Sequence, residues 1–549
     1  MVINPQVSAL LEKRGIPSEG HDHFLFPSYD RDIHDPFLFD DMPTAVDRLC
    51  RALKHNEHIT IYGDYDVDGV SGAVLLYDVL TKAGGIVSLF FNHREDDGYG
   101  LHCHCIERIA EQGTRVLIST DCGIANAKEI AYANTLGIDT IITDHHTPPE
   151  RSEDIPDSLA IIHPRVHADR YPWKLLSGGG SAFKLAQGLC RTFADHEPLW
   201  HAEEKWLLDL VAISTLADCV PLLGENRALV HYGLKVIKKT RRPGLRALLA
   251  RVPKFYQSST LKALHFGVIP LLNAASRMEH ATYAANVLIA PDDASAGTAA
   301  DLLVSMNLNR QRLTQKTIRS VPGNILLNGE IFLAASPHWR VGVLGLAANR
   351  LLAVYDKPIV LVRSGNPSVG VARSTKTIHI AKTFHRLADY FDRFGGHRAA
   401  GGFALKSSVT LDEFAAAWER ISLVQCEQDA GVEDGDGPML SAIDTHISHM
   451  TQDFIRDLFL CAPWGPGNPE PRLRLRNCKI TDVAPMGTRK QWMRIRIEQD
   501  GSCVSARAPQ SLISLLSPNS PAISDIICAA EVREWRGANY LSLTVDAIN

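Results

Sequence analysis

Short apolar runs alternate with helical patterns between residue 59 and about residue 230, and this alternation limits the folds open to the chain. The apolar runs include ITIYG (59–63), VLIST (116–120) and DTIIT (139–143). Strands that are separated by helices pair side by side in parallel, because each crossover helix packs on a face of the sheet. We therefore predict an α/β fold with a doubly wound, mostly parallel sheet.

The rest of the chain divides into further units. At about 100–200 residues per domain, a length of 549 residues predicts three or four domains. An acidic, glycine-rich linker (427–438) precedes short alternating runs that favour a barrel of the OB type. The predicted units are an N-terminal leader (1–50), a first α/β domain (51–235), a helical part with a long linker helix (236–325), a second α/β domain (326–426) and the barrel (438–549).

Composition narrows the class of protein. Hydrophobic residues make up 45% and charged residues 22%, which is typical of a globular chain rather than a disordered one. The net charge of −5 means that any nucleic-acid binding depends on local basic patches. No apolar run reaches the roughly 18–20 residues of a membrane span, and the opening residues lack the apolar core of a signal peptide. With 11 scattered cysteines, which favour reduced thiols, we expect a cytoplasmic protein without membrane contact.

Carboxylates follow three of the predicted strands at the point where each strand ends. The clusters are Asp64-Tyr-Asp66-Val-Asp68, Asp121, and Asp144-His145-His146. Strand ends of an open α/β sheet converge on one crevice, so these side chains should face one another. A single aspartate such as Asp68 is often only a helix N-cap, but capping does not explain all three clusters.

So many carboxylates in one crevice require cations to neutralise them. Carboxylates with histidines favour Mn²⁺ or Mg²⁺, and two such divalent cations suit the hydrolysis of a phosphate ester. The sequence therefore predicts a metal-dependent phosphoesterase.

The order of motifs along the chain resembles that of the DHH phosphoesterase superfamily. The motifs are DYDVDG (64–69), DGYGL (97–101), TDCGI (120–124), DHH (144–146) and LADCVPL (216–222). Further motifs resemble the RecJ branch of that superfamily, and they are WRVGVLGL (339–346), ARS (372–374), GGH (395–397) and GPGNPEP (465–471). The resemblance identifies the first α/β domain as a DHH catalytic domain, the second as the DHH-associated domain and the barrel as an OB-fold.

The resemblance also implies roles for the acidic residues. Asp66 would bind the first metal ion and Asp68 the second, while Asp121 would bridge both. His145 and Asp218 would complete the second site. The remaining candidates for catalysis are Asp64, Asp144 and His146.

Substrate would be held by residues that pair with phosphate or allow the backbone to approach it. The candidates are Arg94, Arg277, Arg373, Ser374, Gly395, Gly396 and His397, with Arg373 proposed for a terminal 5′ phosphate. Two positions depart from the family pattern. Asn92-His93 stands where Pro-Asn is usual, and Ser276 stands where Gly is usual.

The predicted barrel is locally basic. Arg474 and Arg476 alternate on one strand, and Arg494 and Arg496 alternate on the next, close to Trp492. An aromatic side chain among alternating arginines is typical of a groove that binds single strands, although a solvated strand face would show the same charges.

The main interpretation is a cytoplasmic, single-stranded-DNA-specific 5′→3′ exonuclease that releases 5′-mononucleotides in recombination and repair. The polarity, the pathway and the partners, a single-strand-binding protein and a helicase, come from the resemblance alone. We expect a monomer. Two alternatives stay open, namely a DHH phosphatase of oligoribonucleotides or other small phosphoesters and a non-catalytic DNA-binding scaffold.

Overall fold

The computed structural model describes residues 3–167, 170–253, 259–329, 331–374, 378–396, 398–429, 442–486, 492–513, 524–535 and 538–548. Within these residues, no helix combines the length and the apolar character that crossing a membrane requires.

The N-terminal leader is helical. It contains α1 (Pro5–Lys13), α2 (His21–Leu25), α3 (Tyr29–Asp32) and α4 (Met42–His55). Apolar residues of α4 recur every three or four positions and bury one face, as expected of an amphipathic helix. The helix ends at Asn56, whose left-handed backbone turns the chain into the first strand.

A parallel sheet forms the centre of the first α/β domain. Its elements are β1 (His58–Gly63), α5 (Val67–Lys82), β2 (Ile86–Phe91), α6 (Cys103–Glu111), β3 (Thr114–Thr120), α7 (Ala127–Thr135), β4 (Asp139–Thr143) and β5 (Ala160–Ile162). The strand order is β2-β1-β3-β4-β5, and all neighbours are parallel. Helices cover both faces, so most residues of β1, β3, β4 and β5 are buried instead of alternating between buried and exposed.

Helices continue the chain after the sheet. They are α8 (Gly178–Ala194), α9 (Trp200–Trp206), α10 (Leu208–Ala217), α11 (Gly224–Ile237), α12 (Pro243–Arg251), α13 (Thr260–Ala263), α14 (Ile269–Met278), α15 (Thr282–Leu288) and α16 (Asp293–Ser320). Helices α5, α8 and α10 pack together in the largest core cluster. The 28-residue α16 contacts α12 near its start, where Arg251 donates to Gly297 and Asp301. Near its end it contacts the second α/β domain, where the indole N–H of Trp339 donates to Ser320.

The second α/β domain has a mixed sheet. Its elements are β6 (Ile325–Asn328), β7 (Phe332–Ala335), α17 (Val341–Tyr355), β8 (Ile359–Arg363), β9 (Val369–Arg373), α18 (Ile380–Arg386), β10 (Phe391–Gly396), β11 (Ala400–Leu405) and α19 (Leu411–Asp429). The strand order is β10-β11-β9-β8-β7-β6, and only β7 and β8 are parallel among the described neighbours.

The C-terminal domain is a closed barrel. Its elements are β12 (Ile443–Thr445), α20 (Gln452–Leu460), β13 (Arg472–Met486), β14 (Trp492–Gln499), β15 (Ser502–Pro509), α21 (Gln510–Ile513), β16 (Ser524–Trp535) and β17 (Ala538–Ile548). Five strands pair in the order β13-β14-β15-β17-β16, and β13 pairs with β16 to close the barrel. This arrangement is consistent with an OB-fold, and the predicted fold class is confirmed.

Helices α1 and α2 of the leader pack against the barrel at the other end of the chain, whereas α4 packs in the core of the first α/β domain. Val7, Leu10, Leu11, Phe24 and Leu25 belong to the same apolar core as the barrel strands. The side chain of Arg14 donates to Asn468 Oδ1 at 2.6 Å. The first 25 residues therefore help to build the barrel domain, which their sequence alone did not indicate.

Candidate active site

The acidic clusters meet where the strand order of the parallel sheet reverses, between β1 and β3. Asp64 follows β1, Asp121 follows β3 and Asp144 follows β4. Each of the three donates its backbone N–H to the end of the neighbouring strand, at 3.1, 2.9 and 3.4 Å respectively. These bonds extend the sheet by one residue and place three carboxylates in a row across its edge.

Two further aspartates are fixed by helix N-termini. Asp66 is the N-cap of α5 and accepts from the N–H of Asp68 at 2.9 Å. Asp68 instead reaches α8, where it accepts from the N–H groups of Gly178 and Gly179, each at 2.8 Å. Orphan amides at a helix N-terminus favour a carboxylate, so α8 determines where Asp68 lies.

The predicted metal ligands form two adjoining groups. Ligand atoms lie within 4.8 Å of one another in the group Asp64, Asp66 and Asp121, and again in the group Asp68, His145 and Asp218. The groups adjoin, since His145 Nε2 lies 3.2 Å from Asp121 Oδ1 and 3.6 Å from Asp218 Oδ2. The structure thus brings all five predicted ligands, together with Asp64, to one edge of the sheet.

Several ligand atoms of this cluster are buried without a hydrogen-bond partner among the described residues. They are Asp64 Oδ1, Asp121 Oδ1 and His145 Nε2. Burial and the neighbouring carboxylates raise the pKa of Asp64 and of Asp121 well above the ordinary value. Such an arrangement is costly for the protein alone, and it fits divalent cations bound by oxygen and imidazole ligands.

The pKa values of the second group follow the same pattern. Burial and the charge of Asp66 raise the pKa of Asp68 to about 6. Burial and the charge of Asp68 raise the pKa of Asp218 to about 8. Burial also lowers the pKa of His145 to about 3, which keeps its imidazole neutral and able to ligate a metal.

Asp144 and His146 form a pair beside the ligand groups. Asp144 Oδ1 lies 2.8 Å from His146 Nδ1, and Asp144 Oδ2 accepts from the N–H of Ile124 at 3.0 Å. Although burial opposes protonation, the hydrogen bond with Asp144 raises the pKa of His146 to about 9. The oxygens of Asp144 are thereby engaged within the protein, and this carboxylate orients His146.

Sequence reasoning missed two side chains that hold this histidine. The hydroxyl of Tyr99 lies 3.0 Å from His146 Nδ1 and donates to the carbonyl of Asp121 at 3.2 Å. His163 Nε2 lies 2.8 Å from the carbonyl of His146. Tyr99 stands inside the DGYGL motif and was therefore detectable, whereas His163 had no signal in the sequence pattern.

Three predicted arginines gather between the two α/β domains. Arg94 stacks on the ring of Tyr65 at 4.3 Å, and Arg277 donates to the carbonyl of Gly342 at 3.3 Å. Burial and the charge of Arg94 lower the pKa of Arg277 to about 9 and also lower that of Arg373. Mutual repulsion of partly buried guanidiniums is what an anion such as phosphate would relieve.

The remaining substrate candidates lie in the second domain. Ser374 is buried, and its hydroxyl accepts from the N–H of Ile378 at 3.3 Å. Gly395 and Gly396 pair with Gly402 and Gly401 across the β10–β11 hairpin. At Gly396 φ is +155°, and a Cβ would lie 2.4 Å from the carbonyl of Ala400, so glycine is required. His397 lies outside the described residues.

The departures from the family pattern have local roles. The side-chain amide of Asn92 donates to the carbonyls of Gly98 and Gly100. His93 Nδ1 lies 2.8 Å from Asp96 Oδ2. Ser276 accepts from Arg94 at 3.3 Å, so the hydroxyl helps to hold an arginine that is itself a substrate candidate.

On the barrel, the predicted arginines divide into two sets. Arg474 and Arg476 on β13 lie near Asp444, at 3.8 and 3.2 Å. Arg494 and Arg496 on β14 are exposed and line a cavity of about 300 Å³. Trp492, 40% exposed, lies beneath the guanidinium of Arg507 at 5.5 Å. Arg476 is exposed as well, so the exposed arginines lie on both β13 and β14.

Models of protein families match three parts of the chain. Residues 58–215 match the DHH family N-terminal domain, residues 328–422 the DHHA1 domain and residues 443–547 the RecJ OB domain. The chain is 31% identical over 507 residues to the single-stranded-DNA-specific exonuclease RecJ of Bacillus subtilis, covering 91% of this chain and 62% of that protein. The chain belongs to the RecJ family. The predicted family is confirmed.

The chain is also similar to other RecJ proteins. The RecJ exonuclease of Salmonella typhimurium is 28% identical over 92% of this chain and 89% of its own length. The crystal structure of Thermus thermophilus RecJ in complex with Mn²⁺ matches with a TM-score of 0.78 and 25% identity, over 100% of this chain and 76% of that one. A RecJ exonuclease bound to manganese is 31% identical over 70% of this chain and 94% of its own, with a TM-score of 0.59.

Proposed function

We propose that this chain is a single-stranded-DNA-specific exonuclease that hydrolyses phosphodiester bonds with divalent cations, Mn²⁺ or Mg²⁺. The observation that carries the proposal is the pair of adjoining ligand groups near the half-buried Arg94 and Arg277. The predicted activity is the one for which the relatives are named, and the predicted cations are those of the solved RecJ structures. The chain spans 62% of the Bacillus relative, so the activity of that whole protein is proposed here and not assigned.

The chain's own residues divide the work of binding the cations. Asp64, Asp66 and Asp121 would hold one cation, and Asp68, His145 and Asp218 the other, with Asp121 near both. When bound, the cations supply a water molecule of lowered pKa and neutralise charge on the phosphate. The protein therefore needs no nucleophilic side chain of its own.

Substrate positioning falls to the arginines and to His146. Arg94 and Arg277 would pair with the phosphate next to the ligand groups, and Arg373 with a terminal 5′ phosphate. His146, oriented by Asp144, would donate a hydrogen bond to the scissile phosphate or to the leaving oxygen. Ser374, Gly395 and Gly396 would line the same path for the strand, and His397 stays a predicted substrate-binding residue.

The barrel would bind the strand beyond the active site. Arg494 and Arg496 are exposed on one face of β14 with Trp492 at its start, which suits a single strand with unpaired bases. Arg474 and Arg476 contribute less to this surface in our proposal, because Asp444 lies beside them.

The biological setting rests on family membership. We propose that the enzyme works from the 5′ end, releases 5′-mononucleotides and serves recombination and repair in the cytoplasm. In this setting it acts as a monomer, together with a single-strand-binding protein and a helicase.

The test is digestion of 5′-phosphorylated single-stranded DNA labelled at either end, beside duplex DNA and RNA, with Mn²⁺, Mg²⁺ or chelator. Wild type should release mononucleotides from the 5′ end of the single strand only, and chelator or Asp121→Ala should abolish the release. Hydrolysis of dinucleotides without DNA digestion would favour the phosphatase alternative. DNA binding without any hydrolysis would favour the scaffold.

A further inference from the structure

Residues 92–100, which we call the motif loop, join β2 to α6 and contact both α/β domains. At one end of the loop, the hydroxyl of Tyr99 lies 3.0 Å from His146 and donates to the carbonyl of Asp121. The loop therefore contacts the candidate active site directly. Its other contacts decide where Tyr99 lies.

The motif loop is tied together internally. Asp97 Oδ2 accepts from the N–H of His93 at 2.6 Å, and the N–H of Asp97 donates back to the carbonyl of His93 at 2.9 Å. The buried side-chain amide of Asn92, at the start of the loop, donates to the carbonyls of Gly98 and Gly100 at its end. His104 of α6 holds the second oxygen of Asp97 at 2.9 Å. With these bonds the loop should move as one unit.

The second α/β domain holds this unit at two points. Glu95 Oε1 accepts from the N–H of Gly342 at 3.0 Å, in the first turn of α17. A carboxylate there satisfies an orphan amide and interacts favourably with the helix dipole. From β10, Arg393 donates to the carbonyl of Asp97 at 2.8 Å. Gly98 leaves room for this guanidinium, since a Cβ there would lie 3.3 Å from Arg393 Nη1.

We propose that Glu95 and Arg393 are positioning residues, which hold the motif loop and thereby place Tyr99 against His146 while the second domain is docked. This inference rests on the proposed function. Arg393 lies two residues before Gly395 on β10, a candidate to line the path of the strand. The same strand would thus help to hold DNA and place a residue of the active site.

Hydrogen exchange tests the anchoring without any activity. Glu95→Ala and Arg393→Ala should each speed exchange in a peptide that covers the motif loop, with little change in β1 or β4. Glu95→Gln keeps an acceptor for the N–H of Gly342 and should restore most of the protection. Arg420→Ala, at an exposed arginine on α19 of the same domain, is the matched control and should leave the loop unchanged.

Steady-state digestion of single-stranded DNA tests the effect on the site. Arg393→Ala should lower kcat about tenfold with KM within about twofold, because a misplaced positioning group affects the chemical step more than binding. Arg393→Lys, which keeps a donor, should recover much of the loss. If Arg393 acts through Tyr99, the double variant Arg393→Ala/Tyr99→Phe should be no slower than Tyr99→Phe alone.

Three outcomes would overturn the inference. They are unchanged exchange in the motif loop, losses that multiply in the double variant, and a rise in KM at constant kcat, which would make Arg393 a direct DNA contact. If wild type digests no DNA, the proposed function is wrong, and the kinetic prediction, which depends on it, is wrong as well. The exchange result still decides whether the second domain holds the loop.

Discussion

Asp121 lies between the two ligand groups of the candidate active site, and its backbone conformation is closely constrained. Its φ of +63° is unusual for a residue with a side chain, and the carbonyl of the same residue accepts from Tyr99. Its carboxylate lies near Asp64 and Asp66 on one side and 3.2 Å from His145 on the other. Asp121 belongs to one ligand group with Asp66 and to another with His145, and no other described residue shares a group with each of them.

We expect Asp121→Asn to abolish digestion and to stabilise the metal-free protein. Burial and four neighbouring aspartates raise the pKa of Asp121, so its ionisation costs folding free energy as the pH rises. The variant should therefore melt at a higher temperature than wild type in chelator at pH 8, and the difference should vanish at acid pH, where Asp121 is protonated. It should also lose most of the melting-temperature rise that Mn²⁺ gives wild type.

The control for this variant is Asp47→Asn at an exposed position on α4, which should change neither activity nor the response to Mn²⁺. A metal-free Asp121→Asn protein that melts below wild type at pH 8 would contradict the argument.

Local sequence was sufficient to predict the site residues that directly follow strands. Asp64, Asp121 and Asp144 were predictable because parallel strands end at one edge. The resemblance supplied Asp218, which lies at the end of a helix far along the chain. Neither source indicated Glu95 or Arg393, because their partners are 247 and 296 residues away in sequence. Contacts of that kind depend on how two domains dock, which no local pattern records.

Among the elements, the N-terminus of α8 is the one that the site depends on most. Its first glycines approach the carboxylates so closely that no side chain fits. A Cβ on Gly178 would lie 2.5 Å from Asp121 Oδ1, and one on Gly179 would lie 2.5 Å from the hydroxyl oxygen of Ser214. Both glycines also donate their N–H groups to Asp68.

We expect Gly178→Ala to reduce kcat by at least about a hundredfold while the protein stays folded, because the new methyl group displaces Asp121 and shifts the ligand positions. The measurement is digestion of single-stranded DNA at saturating Mn²⁺, with circular dichroism to confirm folding. Gly323→Ala, where a Cβ meets nothing within 4 Å, is the control and should be as active as wild type. Full activity in Gly178→Ala would show that α8 tolerates a shift.

The strands of the barrel allow a second prediction at this scale. Arg494→Ala/Arg496→Ala should weaken binding of single-stranded DNA about tenfold and reduce the slope of log K against log salt by about 1.4, at about 0.7 per phosphate contact. The matched control is Arg474→Ala/Arg476→Ala, which removes the same charge from arginines that lie beside Asp444. Its effect should be clearly smaller. Equal losses would place the strand across both surfaces.

At the scale of the whole molecule, the two ends of the chain form one domain. Helices α1 and α2 share a core with barrel strands more than 400 residues later, for example through Leu10 and Leu475. When the sequence is divided into consecutive segments, the leader is predicted as a unit separate from the barrel. Each of its helices alone has the pattern of an ordinary amphipathic helix. A truncation of the barrel alone would therefore expose the apolar faces of α1 and α2, so the barrel's role is better tested by substitution.

The composite domain consists of α1, α2 and the barrel, and Arg227 of α11 joins it to the catalytic domain. Its guanidinium donates to the carbonyls of Phe24, Leu460, Cys461 and Ala462 at 2.8–3.0 Å, and it stacks on the ring of Phe24 at 3.9 Å. Burial lowers its pKa to about 10, so it is still charged at neutral pH. These contacts connect α11, the leader and the end of α20 through one side chain.

We expect Arg227→Ala to loosen the barrel from the catalytic domain, because it leaves four carbonyls without their charged donor, at a cost of about 3 kcal/mol. Urea denaturation followed by hydrogen exchange should show α1, α2 and the barrel unfolding first, at a lower urea concentration than in wild type. Digestion of short oligonucleotides should persist, since the metal cluster is untouched, whereas long strands should be digested less processively. Lys238→Ala, at an exposed position just after α11, should match wild type in all three measurements. If Arg227→Ala and wild type unfold together at one urea concentration, the composite domain is held to the catalytic domain by its apolar contacts and not by this arginine.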